Sequence, residues 1–96
     1  MILHILNRSP SASRVYQDAL SAMDSTDCLI LTEDGVQGAL PQLVDYFGSL
    51  EGRLFALRED LAARGLEGRC ADHVVVVDVD GFVELTEEAE KTVSWF

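Results

Sequence analysis

The chain has 96 residues, enough for one domain and too few for two. Apolar residues make up 48% of it and charged residues 25%, a composition typical of a folded globular protein and not of a disordered acidic tail. With 7 Lys and Arg against 17 Asp and Glu, the net charge of −10 would repel the phosphate backbone of a nucleic acid. We therefore expect one domain, residues 1–96, that does not bind RNA or DNA directly.

Neither a membrane segment nor a metal site is predicted. The four valines at positions 74–77 are far short of the length that spans a bilayer, and the N-terminal residues lack the basic start and cleavage pattern of a signal peptide. We therefore expect a cytoplasmic protein. The two cysteines, Cys28 and Cys70, have no second Cys or His pair at zinc-ligand spacing, so we expect free thiols, no metal and no cofactor.

The first half of the chain predicts two strands, each followed by a helix. Residues 1–7 form an apolar run suited to a strand covered on both faces, and residues 11–23 carry apolar side chains at helical spacing. A second buried strand is predicted at residues 28–32, which follow an acidic break. Residues 36–47 then predict a helix that Pro41 kinks or restarts.

The second half continues the alternation. Residues 53–57 predict a third strand, and residues 59–64 a short helix that Gly65 ends as its C-terminal cap. The remaining segments are a continuous β-branched strand at 73–78, a Glu-rich helix at 81–91 and an unassigned end at 92–96. No two strands are joined by a two-residue hairpin turn. The pattern predicts an α/β fold: a single small domain with a mainly parallel sheet of four to five strands and helices on both faces.

Motifs for common catalytic chemistries are missing, including Gly-rich phosphate loops and the nucleophile elbow. His4 stands in an apolar strand, where a hydrogen-bonded core or interface histidine is favoured over a catalytic base. Cys28, also in a strand, is interpreted as a small buried apolar side chain. Cys70 is the better candidate for a reactive thiol, because the cation of neighbouring Arg69 favours the thiolate; the alternative is a loop cysteine without function.

Three segments are candidates for contact with a partner or ligand. Asp34 and Gly35 follow the second strand, at the edge where open parallel sheets bind ligands, although a simple turn explains them equally well. The glutamates at 84–90 predict either a docking patch for a basic partner or a solvated helix face. Trp95 and Phe96 end the chain, and we expect them to be buried against this domain or in a neighbouring subunit.

Ordered motifs along nearly the whole chain resemble the DsrH/TusB family of small sulfur-relay subunits. They are Leu3-His4 with Asn-Arg-Ser-Pro at 7–10, Leu-Ile-Leu-Thr-Glu-Asp-Gly-Val at 29–36, the segment at 55–66 that contains Ala-Arg-Gly, Val77-Asp78 with Gly-Phe-Val-Glu-Leu-Thr at 81–86, and Ser94-Trp95. Each motif alone is weak, but their order and spacing at this length are specific.

The resemblance implies a DsrE/F/H-like fold and a place in a cytoplasmic heterohexamer. Such a complex contains two copies each of three related subunits, so the implied partners are DsrE-like (TusD-like) and DsrF-like (TusC-like) subunits together with sulfur donor and acceptor proteins. One branch of the family passes persulfide sulfur towards 2-thiolation of the tRNA wobble uridine, and another serves sulfur oxidation. The length and the His-x-x-Asn-Arg-Ser-Pro opening are more similar to the tRNA branch.

The resemblance also implies thiol chemistry, but this chain lacks the expected thiols. In the catalytic sibling subunits a cysteine ends the third strand, where this chain has Leu57 or Arg58. A second cysteine, found late in the first helix of some members, is replaced here by Asp-Ala-Leu-Ser at 18–21. We therefore predict a non-catalytic subunit of the complex. The alternatives are a subunit of a sulfur-oxidation complex, a subunit that carries persulfide on Cys70, and a free-standing ligand-binding domain.

Overall fold

A computed structural model describes residues 1–96 and contains a single sheet of five strands. The strands are β1 (Ile2–Leu6), β2 (Cys28–Leu31), β3 (Leu54–Leu57), β4 (Val75–Val77) and β5 (Lys91–Trp95). All neighbouring strands pair in parallel, in the spatial order β4-β3-β2-β1-β5. This confirms the predicted α/β class, with all five strands present and the sheet parallel throughout.

Helices connect the strands. They are α1 (Val15–Ala22), α2 (Arg58–Ala63) and α3 (Val79–Glu88), with 3-10 helices at Glu33–Ala39 and Val44–Phe47. The first helix starts later than the predicted residue 11, because the Ser9 carbonyl accepts the backbone N–H groups of Ala12 and Ser13 and closes a separate turn. None of the helices has the length and apolarity that a bilayer crossing requires.

The single helix predicted at residues 36–47 is wrong. The segment forms the two 3-10 helices, with a turn around Pro41 between them. Pro41 has no N–H to donate and disfavours helical backbone at Leu40, which is extended at φ −70° and ψ 148°. Each short helix ends in an i to i−3 hydrogen bond, as a tight 3-10 turn requires.

The last third of the chain also differs from the prediction. The third helix begins at Val79 and not at residue 81, because Asp78 caps it: its Oδ1 accepts the N–H of Gly81 at 2.9 Å. The helix ends at Glu88, and the residues after it form β5, which pairs with β1 from Ile2 opposite Lys91 to Leu6 opposite Trp95. The unassigned end of the sequence is therefore an edge strand.

One face of the sheet, here called the first face, carries the main hydrophobic core. In a parallel sheet, residues in register point to the same side, so Leu6, Leu31 and Ala56 share this face. They pack in one buried cluster with residues from α1, α2 and both 3-10 helices, among them Tyr16, Leu61, Val36 and Phe47. These four elements therefore cover the first face.

The opposite side, here called the second face, is covered by α3. Ile5, Ile30 and Phe55 are in register on this side, and a Cβ atom on Gly81 of α3 would touch Val77 of β4. No residue of α3 is fully buried, and Val79 and Val83 are 47% and 48% exposed. The second face is thus only partly covered within this chain.

Candidate functional site at the carboxyl edge of the sheet

A cavity of about 280 Å³ lies between α3 and the second face, at the carboxyl ends of the strands. Ile5, Leu57 and Phe82 contribute its apolar lining. Asn7 follows β1 and Thr32 follows β2, so strand alternation directs both towards this face. Ser94 of β5, Glu33 and Trp95 complete the lining. The site is therefore assembled from strand ends that are far apart in the sequence.

Two hydrogen bonds connect the segment after β2 to α2 and to Arg64, the residue that follows α2. Arg64 Nε donates to Oδ1 of Asp34 at 3.0 Å, and the backbone N–H of Glu33 donates to Oδ2 of Asp60 at 2.6 Å. Glu33 has a φ of 51°, the only positive φ at a residue other than glycine. The candidate contact residue Asp34 is exposed and pairs with Arg64 within the chain.

Gly35, the second residue of the Asp34-Gly35 candidate, is buried and packs against the end of β1. A Cβ atom at this position would overlap the carbonyl oxygen of Leu6. The requirement for glycine is therefore one of space, because the 3-10 helix approaches the backbone of β1 closely. Its backbone N–H donates to the carbonyl of Thr32 at 2.8 Å and closes the turn that leaves β2.

A chain of hydrogen bonds connects Trp95 of β5, His4 of β1 and Asp27, which precedes β2. Trp95 Nε1–H donates to Nδ1 of His4 at 3.1 Å, and a tryptophan nitrogen can only donate. Nδ1 of His4 is therefore the acceptor, the proton lies on Nε2, and Nε2–H donates to Oδ2 of Asp27 at 3.2 Å. His4 and Asp27 are each 2% exposed, so this network joins β5, β1 and the segment before β2 inside the protein.

The Asp27 carboxylate is the charged end of this network. Burial by itself would raise the pKa of Asp27, but the backbone N–H groups of Asp24 and Ile2 and the ring of His4 all donate to it and lower the pKa to about 2. Asp27 therefore stays ionised with its partners inside the chain. His4, a candidate partner contact from the sequence, has both ring nitrogens occupied within this chain.

The two C-terminal aromatic residues have different environments. Trp95 is half-buried, packs against the core cluster and stacks on the ring of His4, with the ring centroids 6.2 Å apart. Phe96 is 78% exposed. We expected both residues to be buried against this domain or a neighbour. Within this chain only Trp95 is, because Phe96 follows the last residue of β5 and is exposed.

Comparisons with known proteins agree along nearly the whole chain. The model of the family described as DsrH like protein matches residues 8–92. The chain belongs to this DsrH-like family. It is 32% identical to Protein TusB from Escherichia coli O1:K1 and 31% identical to Protein TusB from Escherichia coli K12, in each case over 98% of this chain and 100% of the relative.

The fold of this DsrH-like chain is also similar to a solved structure. The solution NMR structure of protein Tm0979 from Thermotoga maritima superposes with a TM-score of 0.64 over 91% of this chain and 92% of the other, at 23% identity. This likeness concerns the fold.

In this DsrH-like chain, Leu57 occupies the end of β3, where the sequence resemblance places the cysteine of catalytic siblings. Leu57 is the N-terminal cap residue of α2, is 8% exposed and lines the cavity. Arg58, the neighbouring candidate, is the first residue of α2 and is exposed. The cavity therefore presents an aliphatic side chain at the expected place of the thiol.

Both cysteines of the chain lie away from this cavity, and their surroundings disfavour the thiolate form. Burial raises the pKa of the Cys28 thiol on β2, and Asp27 adds to the effect while Arg53 opposes it. Burial also raises the pKa of the Cys70 thiol, which packs against the core cluster. The expected influence of Arg69 does not lower the pKa of Cys70, because desolvation alone shifts it.

Several lining residues were quoted in the motifs of the resemblance but were not predicted as site residues, namely Asn7, Thr32, Glu33, Phe82 and Ser94. Their common signal is position, because most stand one or two residues beyond a buried strand residue, at the edge where parallel sheets bind ligands.

A larger groove of about 520 Å³ lies beside the start of α1 and is lined by residues 10–14 with Tyr16, Gln17 and Tyr46. No three His, Cys, Asp or Glu side chains form a metal-binding group.

Proposed function

We propose that this protein is a non-catalytic subunit of a cytoplasmic heterohexameric sulfur-relay complex. In this proposal the complex passes persulfide sulfur towards 2-thiolation of the tRNA wobble uridine. The similarity to proteins named TusB over the full length supports this branch of the family. The reactive cysteine then belongs to the related subunits, and this chain completes the assembly.

The observation that carries the non-catalytic role is the position of Leu57. A persulfide carrier needs a thiol that can ionise and that partners can reach. The end of β3 holds an aliphatic side chain at 8% exposure, which can neither ionise nor attack a persulfide. Cys28 and Cys70 have raised pKa values, so neither replaces the missing nucleophile at the cavity.

The partly covered second face supports the role in assembly. Val79 and Val83 lie one turn apart on α3, are about half exposed and are accompanied by exposed acidic residues, Asp80, Glu84 and Glu87. An apolar stripe with acidic neighbours favours a partner surface that is apolar at its centre and basic around it. We assign this side to subunit contact.

Mass spectrometry of the reassembled complex tests which subunit carries the persulfide. After loading with sulfide donor, we expect the mass increase of one sulfur atom on a sibling subunit and none on this chain. The variants Cys28→Ser and Cys70→Ser, singly and together, should support wobble-uridine thiolation as well as the wild type does. Loss of thiolation in Cys70→Ser, with the complex assembled, would instead assign persulfide to Cys70.

Co-purification tests the subunit role and the contact face. A tagged chain should retain its DsrE-like and DsrF-like partners, and Val79→Ser with Val83→Ser should weaken that retention. The matched control is Tyr46→Ser, because Tyr46 is equally exposed, at 49%, but belongs to the other side of the sheet. A tagged chain that purifies alone as a stable monomer would contradict the proposal.

A further inference from the structure

The cavity at the carboxyl edge offers acceptor groups and no positive charge. Its lining includes one carboxylate, from Glu33, and one side-chain amide, from Asn7, but neither Lys nor Arg. The hydroxyl groups of Thr32 and Ser94 can accept or donate a hydrogen bond. The lining is therefore suited to a ligand that donates hydrogen bonds and carries positive charge.

Asn7 contributes to the wall of the cavity but does not present its amide oxygen to a ligand there. Its Oδ1 is buried and receives no hydrogen bond from any group of the chain. A buried acceptor without a donor is destabilising, because it has lost water without compensation. The backbone N–H of Asn7 donates to the carbonyl of Trp95, so the residue is held between β1 and β5.

Glu33 is held at the cavity by an unusual backbone conformation. Its φ of 51° is maintained by the hydrogen bond from its N–H to Asp60 on α2. The Glu33 carboxylate forms no ion pair with the chain's own basic side chains, whereas neighbouring Asp34 is paired with Arg64. An unpaired carboxylate at the cavity is therefore available to a cation from outside the chain.

The remaining lining is apolar and suits a short aliphatic stem. Ile5 and Leu57 project from the sheet, and Phe82 covers them from α3. The volume of about 280 Å³ is smaller than the roughly 300–1,000 Å³ of drug-sized ligand pockets, which suits one long side chain or a small molecule of that size. An aromatic ring close to a cation adds a further attraction.

From this geometry we propose that the cavity binds a guanidinium or ammonium group carried on a short aliphatic stem. The cation pairs with Glu33, and its stem lies against Leu57 and Phe82. The same chemistry is found in an arginine or lysine side chain of another protein and in a free alkyl-guanidine or alkyl-amine. The site does not depend on sulfur transfer or on the heterohexamer.

The test is a titration of the full chain with butylguanidine, followed by two-dimensional amide NMR. The control probe is butylurea, which has the same shape and no charge. We expect saturable shifts at Asn7, Glu33 and Ser94 with butylguanidine and up to about fivefold weaker binding of butylurea, the range for one partly exposed charge pair. Equal binding of the two probes would overturn the proposal, because the cavity would then be only an apolar site.

Matched variants separate a specific contact from general attraction to a protein of charge −10. Glu33→Gln should weaken butylguanidine binding about fivefold, whereas Glu51→Gln, which removes the same charge from an exposed residue outside the cavity, should leave it unchanged. Equal weakening by both variants would overturn the site.

Two peptides identify the source of the cation. Acetyl-Gly-Arg-Gly-amide is compared with the same peptide containing citrulline, the neutral counterpart of arginine. Tighter binding of the arginine peptide than of butylguanidine would favour a protein side chain, and tighter binding of butylguanidine would favour a free small molecule. If the citrulline peptide binds as well as the arginine peptide, the cationic site is refuted for protein ligands.

Discussion

The two faces of the sheet use similar apolar residues but are covered to different degrees. Ile30 of the second face is as buried as Leu31 of the first, but Ile5 and Phe55 on either side of it are only half-buried. On the first face, four helical elements cover Leu6, Leu31 and Ala56 completely. On the second face, α3 alone lies over the sheet and contributes no fully buried residue. The first face therefore supplies most of the stability of the isolated chain, while the second retains a cavity and exposed valines.

The largest expected effect comes from replacing one phenylalanine on each face of the sheet with alanine. Phe47 is buried in the core of the first face, and Phe82 is half-buried over the second. Phe47→Ala should lower the free energy of unfolding by about 3–5 kcal/mol, since the ring leaves a cavity among Tyr16 and its neighbours. Phe82→Ala should cost less than half as much. Urea unfolding of both variants measures the ratio, and equal losses would contradict the unequal cover of the faces.

The C-terminal residues distinguish an anchored edge from a free end. A chain ending at Ser94 loses the Trp95 hydrogen bond to His4 and the half-buried ring, so we expect its free energy of unfolding to fall by about 2–3 kcal/mol. A chain ending at Trp95 loses only the exposed Phe96 and should melt like the full chain. The prediction fails if the two truncations show the same melting temperature.

The Asp27 network predicts a specific dependence of stability on pH. Because the pKa of Asp27 is lowered from 3.8 to about 2, its contribution is fully present above pH 4 and is lost as the pH falls through about 2. The difference corresponds to about 2 kcal/mol, and Asp27→Asn should remove it at neutral pH. Stability measured between pH 7 and pH 2 should therefore fall less for the variant than for the wild type. If the stability of the variant and of the wild type falls equally with pH, the Asp27 network is not the source of the pH dependence.

The smallest effects are expected at exposed apolar residues on either side. Val79→Ser and Val83→Ser should each change the free energy of unfolding of the isolated chain by less than about 0.5 kcal/mol. Tyr46→Ser should cost about 0.5–1.5 kcal/mol, because its ring packs edge-on against Tyr16. The small losses expected at Val79 and Val83 in the isolated chain make these two substitutions suitable probes of assembly. A large loss at Val83 alone would show that α3 is more deeply packed than its exposure indicates.

Local patterns predicted most of the elements but not their pairing. The apolar runs that became β1 to β4 were recognised because buried parallel strands are continuously apolar. The strand β5 was not recognised, since Lys91, Thr92 and Ser94 are polar and exposed. It is held by its pairing with β1 and by the bond from Trp95 to His4, contacts between residues about 90 positions apart along the chain.

The candidate site shows the same division between local and long-range information. The sequence directed attention to the end of β2 through Asp34 and Gly35, which follow a predicted strand, and to the end of β3 through Leu57, which the family resemblance singled out. It could not join Asn7, Thr32 and Ser94 into one cavity. That requires β1 to lie between β2 and β5, an order that no local pattern determines.

The sequence by itself determined the α/β class, the family resemblance and the lack of a thiol at the end of β3, since these depend on residue identity and local periodicity. The tertiary structure alone decided the strand order, the partial cover of the second face and the surroundings of His4 and Cys70. The physical reason is that burial and hydrogen bonding depend on which distant segments meet, and a segment's own residues do not specify its neighbours.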